Sequence, residues 1–189
     1  MGQADMNPWT IVTSRAALLP DADIDTDKIL PARFMKGLDR RGLGAHLFAD
    51  MRAIDPRFLI DSDARILVAG RNFGSGSSRE HAVWALADHG IRCVIAPSFG
   101  GIFSGNAASN GLLLLTPAMA DYEALAALLA ETPRVPVAVD LAHRTVAAGE
   151  LVFTFAIDPD LRAALLEGLD DIGRTLRHAD AIAAFEAAL

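Results

Sequence analysis

Five residues within six positions could together bind an anion: Gly74, Gly76, Ser77, Ser78 and Arg79. The two glycines allow backbone N–H groups to turn towards one point, and a helix expected directly afterwards would add its partial positive charge there. The guanidinium of Arg79 can donate two parallel hydrogen bonds to a carboxylate, and the two serines supply hydroxyl groups in the same field. This pattern indicates an anion site that combines an arginine with two hydroxyls.

Other interpretations of this loop fit its residues less well. A phosphate-binding loop would need Gly-Lys-Ser/Thr, and the dinucleotide fingerprint fails because Gly-x-Gly is followed by Ser-Ser-Arg. A hydrolase nucleophile elbow needs glycines two positions on either side of the serine, which neither Ser75 nor Ser77 has. A purely structural alternative stays open at this point, in which Ser77 or Ser78 caps the helix while Glu80 and His81 pair with neighbours in its first turn.

The elements that position this loop can be predicted from periodicity. An apolar, β-branched run from 65 to 70 has the pattern of a buried parallel strand, and apolar spacing from 80 to 89 predicts a helix that ends at Gly90. A second strand over 91–96, a short helix over 99–109 and a third strand over 111–115 continue the alternation. This order predicts a parallel sheet with crossover helices.

The flanking segments are less regular. At the N-terminal side we expect a strand over 10–13 that leads into a loop, followed by an acidic segment, 21–27, whose four aspartates repel one another too strongly for a regular element. Glycines and Pro31 predict irregular structure over 29–45.

After Pro117 the pattern changes to a helix over 121–131 and then to alternating apolar residues over 135–139 and 151–155. We expect these last two segments to pair as an antiparallel hairpin, with C-terminal helices following in an extension over 159–189. The predicted class is α/β, with central parallel strands, crossover helices and an antiparallel hairpin, in a single domain over 1–189.

The composition excludes several kinds of partner. With 17 Lys and Arg against 24 Asp and Glu, the 189-residue chain has a net charge of −7, which argues against nucleic acid and anionic membranes as partners. The acidic N-terminus has no apolar run behind it, so we expect a cytoplasmic protein without a membrane span.

Metal sites are also not expected in this chain. The one cysteine, Cys93, cannot form an internal disulfide or a Cys-rich zinc site, and an iron–sulfur cluster takes about four protein ligands. The acidic segment 21–27 lacks the glycine and the closing glutamate of a calcium loop. Trp84 is expected in the core or at a subunit interface.

A resemblance to a known family extends this interpretation. The segment 73–81, FGSGSSREH, resembles the signature of the swivelling domain of the aconitase superfamily, and 25–31, DTDKILP, resembles a second motif of that family. Downstream, APSF at 96–99 and IFSGN at 102–106 match as well. The segments RGLGAHLF at 41–48 and GLDDIGRTL at 168–176 are similar to the longer bacterial form, the small subunits of 3-isopropylmalate dehydratases.

The resemblance implies a fold, an activity and a partner. The fold would be the three-layer β/β/α swivelling domain of the aconitase C-terminal type. The activity would be a hydro-lyase of leucine biosynthesis, which isomerises 2-isopropylmalate to 3-isopropylmalate by dehydration and rehydration. A large subunit would carry a [4Fe-4S] cluster, and this chain would bind no cofactor itself.

The resemblance also implies roles for individual residues. Ser77 would be the catalytic base, Arg79 would bind a carboxylate of a small dicarboxylate substrate, and Ser78 would assist it with Gly74 and Gly76. The acidic motif Asp25, Thr26 and Asp27 would orient groups at the subunit interface.

The loop at 25–45 corresponds to the specificity loop of the family, in which Phe34 and Met35 would suit an isopropyl group. Lys36 leaves a third carboxylate possible. The alternatives are therefore a small subunit of a homoaconitase, citraconate or dimethylmalate type, or a non-catalytic carboxylate-binding domain.

Overall fold

The structure of the protein is a computed structural model that describes residues 8, 10–35, 39–55 and 63–188. The strands are β1 Ile11–Ser14, β2 Ala16–Leu19, β3 Ile66–Ala69, β4 Cys93–Ile95, β5 Leu113–Leu115, β6 Val137–Asp140, β7 Thr145–Ala148 and β8 Leu151–Thr154. The helices are α1 Thr26–Ile29, α2 Ala49–Ile54, α3 Glu80–His89, α4 Gly101–Ser109, α5 Met119–Glu131, α6 Pro159–Glu167, α7 Asp171–Leu176 and α8 Ala179–Glu186, with 3₁₀ turns at Ala32–Phe34 and Leu43–His46.

A four-stranded parallel sheet lies at the centre of the molecule, in the order β2-β3-β4-β5. Its strands are apolar on both faces because both faces are covered. In β3, Ile66 and Val68 belong to one buried cluster, whereas Leu67 and Ala69 belong to another. The alternation expected of a strand therefore divides the core into two parts.

An antiparallel sheet in the order β1-β6-β7-β8 covers one face of the parallel sheet. Its inward residues, such as Val137, Val139 and Val146, join Ile66 and Val68 in the first of these clusters, to which α5 and α6 also contribute. Helices α1, α3 and α4 pack on the opposite face of the parallel sheet. The arrangement is the predicted three-layer β/β/α fold.

Helix α3 shows how local sequence fixes an element in the helical layer. Its buried positions are Ala82, Val83, Ala85 and Leu86, which form one apolar face against the sheet. Gly90 ends the helix in the left-handed conformation at φ 103°, as its position at the end of the apolar pattern predicted.

Two strand predictions were wrong. The segment after β1 was expected to be a loop, but Ala16–Leu19 forms β2 and pairs with β3 in parallel register. The predicted hairpin between 135–139 and 151–155 is also wrong, because β7 lies between these segments and pairs with both. The periodicity over 145–148 is weak because Ala147 and Ala148 replace larger apolar residues there.

The acidic and glycine-containing segments are more regular than predicted. A short helix, α1, forms inside the acidic segment, and two 3₁₀ turns and α2 follow in the region to residue 54. Within the described part of the chain, none of the helices has the length and apolar character needed to cross a membrane.

Candidate active site

The candidate site lies at the carboxyl edge of the parallel sheet, where open α/β sheets usually bind their ligands. We call residues 70–79, which follow β3, the glycine-serine loop. Backbone hydrogen bonds join it to the loops that follow the two neighbouring strands: Gly74 N donates to Ile24 O at 2.7 Å, and Phe73 N donates to Ser98 O at 3.1 Å. The glycine-serine loop is thus held on both sides by the loops that follow β2 and β4.

Gly74 and Gly76 are required by the path of this loop. Their φ values are 72° and 89°, which L-residues with side chains rarely adopt. A Cβ at Gly74 would also overlap the ring of Phe103 in α4, whereas at Gly76 it would lie 3.4 Å from Asp25 Cβ. The first glycine is therefore needed for close packing as well as for its backbone angle.

Helix α1 holds the glycine-serine loop through its first residues. Asp25 caps the helix by accepting a hydrogen bond from Lys28 N at 2.8 Å. Thr26 is buried, and it donates from its backbone N to Ser75 O at 3.0 Å and from Oγ1 to Ser77 O at 3.2 Å. The Ser77 backbone is therefore fixed by a side chain 51 residues earlier in the chain.

Asp27 forms an ion pair with Arg79, through Oδ1 and Nη1. The Arg79 side chain keeps 25% of its surface exposed and Asp27 keeps 53%. The guanidinium is thus aligned by a carboxylate but remains open to solvent, as a group that receives a ligand must be.

Cation and amide partners explain why four aspartates within seven residues do not disrupt the acidic segment. Asp23 accepts a hydrogen bond from Asn72 Nδ2 at 2.7 Å and lies 3.5 Å from Arg71 Nη2. With Asp25 used as a cap and Asp27 paired with Arg79, three of the four carboxylates have partners. The prediction of an irregular segment failed because the partners of Asp23 and Asp27 lie 49 and 52 residues away in the sequence.

The serine hydroxyls do not cap α3. The N-cap residue is Arg79, it has extended backbone angles, and no side chain caps the helix there. Ser77 and Ser78 are both exposed. The structural alternative, in which one of them caps the helix, is therefore wrong, and their hydroxyls remain accessible beside Arg79.

Comparison with known proteins identifies the family. A family model described as the aconitase C-terminal domain matches residues 6–119, and one described as the C-terminal domain of the small subunit of 3-isopropylmalate dehydratase matches residues 171–188. The 3-isopropylmalate dehydratase small subunit of Acidothermus cellulolyticus is 50% identical over 186 residues, which cover 96% of this chain and 94% of that protein. The corresponding protein of Frankia casuarinae is 48% identical over 186 residues, 96% of this chain and 95% of its own. The chain belongs to the 3-isopropylmalate dehydratase small-subunit family.

A solved structure supports the same assignment. The crystal structure of a 3-isopropylmalate dehydratase from Methanocaldococcus jannaschii superposes with a TM-score of 0.70 at 27% identity, and covers 93% of this chain and 99% of that one. The predicted family, the three-layer aconitase-type fold and the hydro-lyase function in leucine biosynthesis are thereby confirmed. The family name also implies that a large subunit is the partner.

The predicted specificity loop of this small-subunit family member is only partly described. Phe34 is half-buried and its ring has two neighbours. The Arg33 guanidinium lies 4.6 Å from the ring centre, and the His46 ring is stacked on it at a centroid distance of 4.0 Å. Arg33 in turn pairs with Asp50, and this hydrogen bond lowers the pKa of the Asp50 carboxyl. Met35 packs against the core, and Lys36 lies outside the described residues. Substrate contacts by Phe34, Met35 and Lys36 stay predictions.

The part of the chain that the structure describes does not fit an iron–sulfur cluster. The side chain of Cys93, in β4, is fully buried between the two sheets, and burial raises the pKa of its thiol, which keeps it protonated. Across residues 8, 10–35, 39–55 and 63–188, no three His, Cys, Asp or Glu side chains are grouped so that they could hold a metal ion. The sequence prediction places the cluster on the large subunit, and Cys93 is unsuited to be one of its ligands.

Several residues of the site could not be identified from the sequence. Asn72 and Asp23 form part of the loop contacts, Phe103 fills the space beside Gly74, and Asn110 bonds to the first turn of α3. The only local signal for Phe103 was its place in a family-like motif. Asn110 carries no local signal for its bonds to α3, since Glu80 and Trp84 lie 30 and 26 residues away.

Proposed function

We propose that this small subunit supplies the base and the carboxylate clamp of the isopropylmalate reaction. Ser77 would remove the C–H proton of the substrate at Oγ, and Arg79, assisted by Ser78, would bind one of its carboxylates. The observation that carries the proposal is the double attachment of the loop to α1: Thr26 Oγ1 bonds to Ser77 O, and Asp27 pairs with Arg79. One short helix therefore aligns both groups.

A serine hydroxyl is a poor base in water, so the surroundings must stabilise its alkoxide. The N-terminus of α3 and the Arg79 guanidinium both favour negative charge at this place, whereas the N–H of Gly74 is already bonded to Ile24 O. Helix α3 has 10 residues, which is long enough to present the partial charge of its N-terminus. These features support Ser77 as the proton acceptor.

Arg79 is suited to bind the substrate because its charge is already oriented. Asp27 accepts a hydrogen bond from Nη1, which leaves the other donors of the guanidinium for a substrate carboxylate. Asp27 would therefore act as an orienting residue, as the sequence resemblance predicted. Asp25 contributes indirectly, by capping α1.

We further propose that the complete site forms at an interface with the large subunit. A [4Fe-4S] cluster on that partner would act as a Lewis acid on the departing hydroxyl. The residues of this chain bind a carboxylate and hold the abstracted proton. A cytoplasmic location and a single domain over 1–189 remain predictions, which cell fractionation and limited proteolysis would test.

Reconstitution with the large subunit of the same organism tests the proposal. We expect no turnover by this chain alone, and a fall in kcat of about 10³-fold for Ser77→Ala in the assembled enzyme, since a positioned general base contributes roughly 10²–10⁴. Thr154→Ala, which removes an exposed hydroxyl from β8, is the matched control and should retain wild-type kcat. Turnover without the partner, or wild-type kcat for Ser77→Ala, would contradict the proposal.

A further inference from the structure

Helix α4 and the two residues that flank it contact Phe73 in the glycine-serine loop and Glu80, which directly follows that loop. At the start of the loop, Gly100 N donates to Phe73 O at 2.9 Å, and the Phe103 ring packs edge-on against Phe73 at a centroid distance of 5.5 Å. At the end of the loop, Asn110, the residue that follows α4, donates from Nδ2 to Glu80 Oε1 at 2.7 Å. The helix therefore links Phe73 in the loop to the first residue of α3.

The side chain of Asn110 uses all of its polar atoms in this position. Besides the bond to Glu80, Nδ2 donates to Asn106 O at 2.8 Å, and Oδ1 accepts a hydrogen bond from Trp84 Nε1 at 3.1 Å. Glu80 and Trp84 lie one turn apart on α3 and on the same side of it. Two bonds to neighbouring turns fix the rotation of α3 about its axis as well as its position.

We propose that Asn110 is a positioning residue for the isopropylmalate reaction, acting through Glu80 and Trp84 on the direction of Ser77 and Arg79. This inference rests on the proposed function of that pair. Glu80 directly follows Arg79, and Arg79 N donates to Ser77 O at 2.8 Å, so a rotation of the first turn of α3 is transmitted to both residues. A misplacement of about 1 Å at reacting groups can reduce the rate by roughly 100-fold.

Trp84 connects the same network to the predicted specificity loop. The guanidinium of Arg40 lies 4.8 Å from the centre of the Trp84 ring, a cation–π distance, and the His81 ring lies 4.6 Å away on the same helix. Arg40 belongs to the segment 25–45. Asn110 therefore holds Trp84, on which Arg40 of this segment packs. This links the position of the predicted specificity loop to that of Ser77.

The chemistry of the pair suggests a rescue experiment in the assembled enzyme. In Asn110→Asp, two carboxylates face each other at residues 80 and 110, and we expect kcat to fall about thirtyfold while KM changes less than threefold. Adding Glu80→Gln restores a donor opposite the new aspartate, so the double variant should regain at least threefold in kcat. Glu80→Gln alone should be close to wild type, because its amide oxygen still accepts from Asn110.

A stability control separates positioning from simple loss of folding. Asp158→Ala removes an exposed side chain that accepts hydrogen bonds from Asp160 N and Leu161 N at the start of α6, a helix far from the site in the sequence whose Leu165 is buried in the cluster between the two sheets. It should lower thermal stability about as much as Asn110→Ala but leave kcat unchanged. Asn110→Ala should lower kcat about tenfold in the folded complex.

A milder variant covers the case in which Asn110 variants do not fold, and a spectroscopic measurement follows the surroundings of Trp84 where they do. Trp84→Phe keeps an aromatic ring for Arg40 but removes the indole donor, and kcat should fall about threefold. In a Trp9→Phe background of this chain, measured before it is assembled with the large subunit, Trp84 is the chain's one remaining tryptophan, and its emission should shift in folded Asn110→Ala but not in Asp158→Ala.

Wild-type kcat for both Asn110→Ala and Trp84→Phe in assembled enzyme would overturn the positioning role. So would equal kcat for Asn110→Asp with and without Glu80→Gln. The effect of Ser77→Ala is measured separately in the same complex. Wild-type kcat for the Asn110 and Trp84 variants would therefore leave the role of Ser77 standing, and wild-type kcat for Ser77→Ala would contradict the proposed function whatever the Asn110 variants do.

Discussion

On the face of the parallel sheet that meets the antiparallel sheet, the core consists of apolar side chains in simple alternation, such as Val137, Val139 and Val146. At the carboxyl edge beside the helical layer, the chain instead uses glycines with positive φ, side-chain hydrogen bonds and ion pairs. Asp23 and Asn72 are bonded to each other there although both have positive φ, 57° and 58°. Arg144, in the turn between β6 and β7, also has a positive φ of 58°, so what distinguishes the site is that its positive-φ residues Asp23 and Asn72 are joined by a side-chain hydrogen bond.

The comparison indicates that the two regions have different tasks. Burial of apolar area is non-directional, so the region between the sheets stabilises the fold without placing any atom for chemistry. Hydrogen bonds and tight backbone turns are directional, so the site region orients Ser77 and Arg79 at the expense of regular structure. Substitutions in the site region should therefore change activity and stability together, whereas those in the other region should change stability alone.

The largest expected effect comes from making the same substitution at glycines of the two regions. Gly74→Ala places a Cβ onto the Phe103 ring at φ 72°, and we expect a loss of about 3 kcal/mol of stability with at least a 100-fold fall in kcat/KM. Gly149→Ala, at φ 57° but with its nearest atom 3.9 Å away in Val135, should cost about 1 kcal/mol. Denaturant unfolding and steady-state kinetics of the assembled enzyme measure both.

Equal losses of stability at the two glycines would show that the backbone angle alone matters and that packing against Phe103 does not. Gly105→Ala is a useful third variant, because a Cβ at this position inside α4 meets nothing within 4 Å. It should stabilise the protein by about 0.5–1 kcal/mol.

Much of the region between the sheets could be predicted from the sequence because its information is local. The run at Ile66–Ala69 and the alternation at Val137–Asp140 indicate strands on their own. The strand at 145–148 was missed, and with it the true pairing, because its alanines give little hydrophobic contrast. Its partners are set by tertiary packing.

The site region was predictable in its residue types but not in its contacts. The glycines, serines and Arg79 were recognised from type and spacing. Of their supports, Thr26 was named only as part of the acidic motif with an orienting role implied by the resemblance, and Asn110 was not named at all, because their bonds to this region span 51 and 30 residues. The prediction of an irregular acidic segment was wrong for the same reason. It considered the repulsion among the four aspartates but not their pairing with Arg71 and Arg79.

A smaller effect is expected from the support under Ser77. Thr26→Val keeps the shape of the side chain but removes the donor to Ser77 O, which retains its bond from Arg79 N. We expect a loss of about 1 kcal/mol of stability and a fall in kcat of about tenfold. Thr154→Val, on the exposed side of β8, is the matched control and should change neither. Unchanged kcat in Thr26→Val would mean that the backbone bonds alone hold the loop.

The smallest effect is expected at a polar group of the antiparallel sheet, where pH should change stability without changing activity. Asp140 accepts hydrogen bonds from His143 N at 2.8 Å and from the His143 ring, and these lower the pKa of the Asp140 carboxyl. Since the native pKa lies below the unfolded one, the stabilisation is complete above the unfolded value, near pH 4, and is lost as pH falls through the native value.

Asp140→Asn should therefore lower the free energy of unfolding by about 1 kcal/mol at pH 7, and the difference from wild type should shrink below about pH 4. Its kcat with the large subunit should equal that of wild type, because the turn between β6 and β7 lies in the region that stabilises without orienting the site. Urea unfolding at several pH values measures the first effect. A fall in kcat would show that the division between the two regions is incomplete, and that the antiparallel sheet also takes part in placing Ser77 and Arg79.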